Sequence, residues 1–434
     1  MTFDLTLSRP TIEGLRIRET LRTWRRDDDA ASRAVSDTTA PCPAARRTVR
    51  RDMAQSQHRL LALDGGGIRG VLTIEVLAAI EAHLREREGR PDLVLSDFFD
   101  YVGGTSTGAI LAACVSSGMS VDRIRRFYHE EGAHMFSQAS LLRRLQYSYD
   151  AEPLAQKLRA VLGPIELGDA SLRTYLMLVL RNATTDSPWP LSNNPQAKYN
   201  DRARTDCNLR LPLWQLVRAS AAAPTFFPPE IIRLDDTTEF AFVDGGVTTY
   251  NNPSFLLFLM ATLRPYKLEW PTGEDKLLVV SVGTGRDPVL RPNLSPGGEN
   301  LLANARTIPA GLMSSASMQQ DLLCRAFGRC LAGLPLDREL GDLVDLSTLG
   351  TVANDGPGDG KLFTYVRYDA ELTVQGLRDL ELKLDPSRLT PLDAVEGKDD
   401  LAEVGRAVAK RFVSPEHYQA FPTRETTHGP NHAG

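Results

Sequence analysis

The sequence predicts an α/β protein with a mostly parallel sheet. Two features predict it. Short apolar runs alternate along the chain with segments whose apolar residues recur every three or four positions. Several of the apolar runs also end in glycines, as strands do when they lead into tight turns. A chain of 434 residues that is 42% hydrophobic and 24% charged can bury a core of the required size.

Taken in order, residues 1–56 are rich in Arg, Asp, Ser, Thr and Ala and poor in large apolar residues. They are expected to form a disordered N-terminal extension with a short helix around residues 11–25, or to reflect a misassigned start codon. Order is expected from Arg59. Leu60, Leu61, Ala62 and Leu63 read as a buried strand. After a glycine cluster, Val71, Ile74, Leu77, Ile80 and Leu84 mark one face of a helix. FFDYVGG then reads as a strand, AILAACV as a buried helix and VDRIRRFYHEEG as a further helix. FSQASLLRRLQYSY, from Phe136 to Tyr149, is either a helix packing Leu141, Leu142 and Leu145 inward or a segment resting on an anionic bilayer. TYLMLVLR near residues 174–181 is another strand, and the polar, proline-containing segment from Asn182 to Asp206 is expected to be a surface loop. FAFVDGG and LLVVSVGTG each read as a strand ending in glycines. The domain is expected to span 57–415, with its motifs within 60–256 and a flexible tail at 416–434. No internal repeat is visible.

The totals exclude some function classes. A formal net charge of -5 gives no basic field, so nucleic acid is not an expected partner. Of the 50 basic residues 42 are Arg, which is read as a GC-rich coding bias in preference to phosphate recognition. The five cysteines, Cys42, Cys114, Cys207, Cys324 and Cys330, form neither a disulfide framework nor a zinc pattern, and they fit a reducing compartment. The first residues lack an apolar core of signal-peptide length, and no run of 18 apolar residues occurs. A cytoplasmic protein is therefore expected, and any contact with lipid would be peripheral.

Asp64-Gly65-Gly66-Gly67-Ile68-Arg69-Gly70 satisfies G-x-G-x-x-G between a strand and a helix. Its backbone N–H groups could face a pyrophosphate or a developing oxyanion, and the cluster could also be a turn without chemistry. The dinucleotide reading wants an acidic residue at the end of a second strand about 20 positions on, where the chain instead has EAHLREREGR. No Gly-Lys-Ser/Thr follows for a phosphate-binding loop of the other kind. Gly104-Thr105-Ser106-Thr107-Gly108 fits G-x-S-x-G, a strand-to-helix turn that projects a nucleophilic serine and needs small residues two before and two after it. Such a serine would sit at a helix N-terminus, which favours an anionic intermediate.

A serine nucleophile needs a base. None of His58, His83, His129, His134, His417, His428 and His432 follows a strand as a triad histidine does. Asp244 ends the apolar run Phe240–Val243 and precedes Gly245-Gly246. It reads either as a carboxylate at the C-terminal end of a parallel strand, where sites collect, or as a turn residue capping its own backbone.

Together, DGGGIRG at 64–70, GTSTG at 104–108 and DGG at 244–246 occur in the order found in the patatin-like phospholipases, and the chain resembles that family. RASAAAPTFFPP at 218–229, GGVTTYNNP at 245–253 and SVGTG at 281–285 fit as well, so the similarity spans roughly residues 58–412. The resemblance implies a three-layer fold with helices on both faces of the sheet. It implies a Ser-Asp dyad without histidine, with Ser106 as nucleophile and Asp244 as general base. Gly65, Gly66, Gly67 and Arg69 would form the oxyanion region, and Gly104 and Gly108 the elbow. It implies a lipid substrate, an acyl ester of a glycerophospholipid or galactolipid, with neither cofactor nor metal. Arg69 is left open between a lipid phosphate and a structural carboxylate. Two other accounts remain: an antiviral effector switched by a nucleotide or a partner with lipase output, and a dinucleotide-binding oxidoreductase.

Overall fold

The computed structural model describes residues 57–135, 151–224, 226–287, 301–336, 360–393 and 395–423. The expected N-terminal extension and its short helix, the Phe136–Tyr149 segment and the histidines at 428 and 432 lie outside the described residues. In chain order the elements are β1 (His58–Leu63), α1 (Gly70–Glu88), β2 (Tyr101–Thr105), α2 (Thr107–Ser116), α3 (Val121–Met135), α4 (Ala151–Leu162), β3 (Tyr175–Asn182), β4 (Ser187–Ser192), α5 (Leu213–Ser220), β5 (Glu230–Arg233), β6 (Glu239–Asp244), α6 (Ser254–Thr262), β7 (Leu277–Val282), α7 (Leu301–Phe327), β8 (Gly328–Ala332), β9 (Phe363–Tyr368) and α8 (Lys398–Phe412).

The strands form one sheet in the order β5-β6-β3-β2-β1-β7-β9-β8, with β4 paired to β3 off that path. From β3 across to β8 every pairing is parallel. Side chains alternate between the two faces, and both faces are covered. Leu61, Leu63, Val102, Leu178 and Val280 join one buried cluster with residues of α1, α2, α5 and α8. Leu60, Ala62, Met177, Val179 and Val279 join a second with Leu257 and Met260 of α6 and Cys324 of α7. Coverage on both sides is why β1 and β7 are buried along their whole length and carry the unbroken apolar runs Leu60–Leu63 and Leu277–Val280 instead of an alternating pattern. Each fully buried leucine in these layers contributes about 2 kcal/mol. The parallel connections come from helices such as α1, which ends where Gly89 takes φ 62, a left-handed cap that costs glycine little.

Three expectations change. The segment Asn182–Asp206 is not only loop, because Ser187–Ser192 pairs antiparallel with β3 as β4. Its prolines argue against a central strand, but among the described residues β4 has no second neighbour, and an edge strand tolerates residues that cannot donate to a ladder. The strand bearing Asp244 is not parallel: β6 runs antiparallel to β3. The packed chain also continues past residue 415, where the tail was expected to begin. Tyr418 and Phe421 are fully buried, and the Tyr418 hydroxyl meets that of Tyr368 at 3.0 Å.

Candidate active site

The reversal of β6 is what brings two distant residues together. Val179 of β3 pairs with Thr105 of β2 on one side and Pro190 of β4 on the other. The next residue, Leu180, pairs with Asp244 of β6 and Trp189 of β4. A strand residue has only two flanks, so β2 and β6 share the same flank of β3. They approach along it from opposite directions and end at adjacent registers. Ser106 follows the last residue of β2, and Asp244 is the last residue of β6. Ser106 Oγ donates to Asp244 Oδ2 at 2.6 Å, across 138 positions of sequence.

Ser106 adopts φ 56 and ψ -123, a conformation that side-chain-bearing residues avoid. The packing around it leaves no alternative. A Cβ on Gly104 would stand 2.0 Å from the Gly108 carbonyl oxygen, and one on Gly108 would stand 2.1 Å from that of Leu63. Backbone segments therefore cross at van der Waals contact on both sides of the serine. The Ser106 N–H donates to Ser220 Oγ at 3.0 Å, and that hydroxyl donates onward to the Val179 carbonyl at 2.7 Å. Ser220 is fully buried at the end of α5 and pins the strained turn to the middle strand.

Asp244 is 4% exposed. Its Oδ1 accepts from the Gly246 N–H at 2.7 Å, and its own N–H donates to the Ala222 carbonyl at 3.0 Å. Burial pushes its carboxyl up to about 6, against the opposing pull of the hydrogen bonds from Ser106 and Gly246. Asp244 thus holds the cap expected of a turn residue and the serine contact as well.

The glycine loop lies against the same serine. A Cβ on Gly65 would meet Ser106 Cβ at 3.1 Å and Asn251 Oδ1 at 2.4 Å. Gly65 is not a free donor, because its N–H is given to the Asn251 carbonyl at 3.1 Å. Its own carbonyl accepts from Thr284 Oγ1 at 2.9 Å. The N–H groups of Gly66 and Gly67 bond to no described residue, which leaves two donors at the mouth of the loop. Gly67 takes φ 59, and a Cβ there would strike the Leu392 carbonyl oxygen at 2.2 Å, so only glycine fits. Arg69 is half-buried. Burial lowers its pKa, opposed by the carboxylates of Asp369, Asp287 and Asp64, and its Nε lies 3.5 Å from the Gly66 carbonyl oxygen.

The expected residues Ser106, Asp244, Gly66, Gly67, Gly104 and Gly108 therefore converge, with Gly65 in a supporting place. Three of the described histidines have other partners: His58 stacks on Trp270 at 4.0 Å, His129 faces Asp399 at 3.8 Å, and His417 Nδ1 meets the Tyr368 hydroxyl at 2.7 Å. Sequence reading missed Ser220, Asn251 and Thr284, although each lies in a stretch already singled out, RASAAAP, NNP and SVGTG. Spacing alone does not say what such a polar residue touches. Among the described residues no group of three or more His, Cys, Asp or Glu is arranged to hold a metal ion.

A family model described as patatin-like phospholipase matches residues 61–257. Patatin-17 of Solanum cardiophyllum is 31% identical over 242 residues, covering 52% of this chain and 60% of that protein. A cGAMP-activated phospholipase of Vibrio cholerae is 28% identical over 293 residues, covering 63% of this chain and 78% of that protein. The chain thus spans 60% of the length of the plant relative. Among solved structures, VipD from Legionella pneumophila aligns with a TM-score of 0.34 at 14% identity, over 82% of this chain and 66% of that one.

Proposed function

Residues 61–257 belong to the patatin-like phospholipase family, and from that premise we propose that the protein is a serine lipid acyl hydrolase. It cleaves acyl esters of glycerophospholipids or related lipids. The observation that carries the reading is the 2.6 Å hydrogen bond from a strained serine hydroxyl to a buried carboxylate. Ser106 Oγ attacks the ester carbonyl carbon while its proton passes to Asp244 Oδ2. The carbonyl electrons move to the oxygen, which the N–H groups of Gly66 and Gly67 receive; each such donor contributes about 3 kcal/mol to the transition state. Collapse breaks the acyl C–O bond, and Asp244 returns the proton to the leaving alkoxide. Water then attacks the acyl-enzyme with Asp244 again as base, releasing the fatty acid. No described helix is long and apolar enough to cross a membrane. In this reading the cytoplasmic protein meets its substrate peripherally, at a lipid surface.

Incubation with mixed bacterial phospholipids, followed by mass spectrometry, should show free fatty acid and lysophospholipid, both missing with Ser106→Ala. Acid release no greater than in that variant would overturn the proposal. The second reading, a ligand-switched defence effector with the same output, is favoured by the similarity to a relative named cGAMP-activated phospholipase. It requires a cyclic dinucleotide to bind and to raise the rate, and an unchanged rate at saturating nucleotide removes it.

Ser220→Ala tests the support of the nucleophile. It leaves the buried Ser106 N–H and Val179 carbonyl without their shared partner. Unfolding free energy should fall by about 1–3 kcal/mol, and kcat by about tenfold as the elbow relaxes. A stability loss with kcat intact would confine Ser220 to a folding role.

A further inference from the structure

We propose that Arg367 is the positioning residue of the glycine loop, holding the two free donors at Gly66 and Gly67 against Ser106 from a strand far outside the matched residues. The proposal rests on the hydrolase reading above for what the donors do, but not for where the loop is held. Arg367 lies on β9 and is 4% exposed. Its two terminal nitrogens grip Asp64, the residue immediately before the loop, at 2.8 and 2.6 Å, across 303 positions of sequence. This is the bidentate geometry that fixes a carboxylate in direction as well as distance.

The grip is anchored on its other side. Arg367 Nη2 also donates to Asp369 Oδ2 at 2.7 Å, and Asp369 Oδ1 accepts the N–H groups of Gly285 and Ala370, each at 2.9 Å. Arg367 Nη1 donates to Ser281 Oγ at 2.7 Å. The register sets Ala62, Ser281 and Arg367 side by side on β1, β7 and β9. Asp64 and Asp369 each come two residues later in their segments, at the end of the sheet where the loop begins. The same β7 end supplies Thr284, whose hydroxyl holds the Gly65 carbonyl. Gly283 must lack a side chain here, since a Cβ would stand 2.2 Å from the Asp369 carboxyl carbon.

The glycine loop has little of its own to define it. It carries no side chain before Ile68, and glycines lose the most freedom when ordered. An anchor at Asp64 and one at the Leu392 carbonyl, which accepts from Ile68 N–H at 2.9 Å, bracket the three glycines. Losing the first anchor frees the donors to wander, and displacement by about 1 Å costs roughly 100-fold in rate. Arg367 is buried behind the loop with its guanidinium given to Asp64, Asp369 and Ser281, so substrate binding should be spared.

The test uses the full chain with Arg367→Gln, Arg367→Lys and the double variant Asp64→Asn/Arg367→Gln. Two readouts are taken: the rate at which an alkyl fluorophosphonate labels Ser106, and hydrogen–deuterium exchange of the amides from Asp64 to Ile68. Affinity for a non-hydrolysable ether phospholipid is the control. Arg367→Gln should slow labelling about 100-fold and speed exchange in the loop, with ether-lipid affinity within about threefold of wild type. Arg367→Lys, which keeps the charge but not the fork, should fall between. The double variant removes one of the two carboxylates that Arg367→Gln strands, the one beside the loop, and should recover about tenfold over Arg367→Gln. Wild-type labelling and exchange in Arg367→Gln and Arg367→Lys overturn the inference. So does a loss shared equally by labelling and lipid affinity with no recovery in the double variant. If the wild type is not labelled while Arg367→Gln still loosens the loop, the hydrolase reading falls and the positioning role stands.

Discussion

Ser106→Ala is expected to reduce kcat for a long-chain ester by about 10⁴- to 10⁶-fold, leaving only what the oxyanion donors and binding achieve alone. A steady-state assay settles it, and a loss under about tenfold would place the nucleophile elsewhere. The strained backbone adds a second expectation that activity cannot mimic. Ser106 sits at φ 56 and ψ -123, where a side chain costs about 1–3 kcal/mol and glycine almost nothing. Ser106→Gly and Ser106→Ala both remove the hydroxyl, so the hydrogen bond to Asp244 cancels between them. The glycine variant also gains unfolded-state freedom, which offsets about 0.5–1 kcal/mol of the relief. It should still be more stable than the alanine variant by about 1 kcal/mol in urea denaturation, though equally inactive. Equal stability of the two would remove the strain.

Asp244→Asn should lower kcat by about 10⁴-fold, as amides in place of orienting or accepting carboxylates do elsewhere. In the wild type the same group is expected to set a pH limit. A base must be ionised to accept a proton, and the Asp244 carboxyl is raised to about 6. Activity should therefore be full above that pH and fall about tenfold per unit below it. Stability runs the other way. The folded value of about 6 lies above the ordinary 3.8, so between them the folded state holds a proton that the unfolded state has released. The wild type loses stability as pH rises through that window and carries the full cost of a buried charge above it, about 3 kcal/mol. Asn bears no charge, so Asp244→Asn should be the more stable protein at neutral pH, by up to that amount, and should lose the advantage near pH 4. Urea midpoints at the two pH values, with the pH profile of kcat/KM, check both signs. An acid limb lying near pH 4 would mean that the carboxylate is not raised.

Much of this was legible in the chain. The strands around Leu61, Leu178 and Val280 announce themselves because both their faces are covered, so they carry unbroken apolar runs. The glycines at 65–67, 104 and 108 are visible because close backbone approach admits no other residue. Local spacing thus marks where the chain turns sharply and which serine it exposes, since those are constraints among near neighbours. It misplaced β4, because proline warns against a strand without knowing whether that strand will have a free edge. It expected β6 to run parallel, because Phe240–Asp244 reads the same in either direction.

Which residues meet was decided only by tertiary structure. The sequence set the turn that strains Ser106 and the short apolar run that ends at Asp244. The sheet set β2 and β6 end to end along one flank of β3, with their tips at Val179 and Leu180. Ser220 and Arg367 became part of the site the same way, through partners 114 and 303 positions away. A hydrogen bond is short-ranged and directional, and it leaves no periodicity in the chain. Its partners are chosen when the layers pack, and only then does a serine acquire a carboxylate.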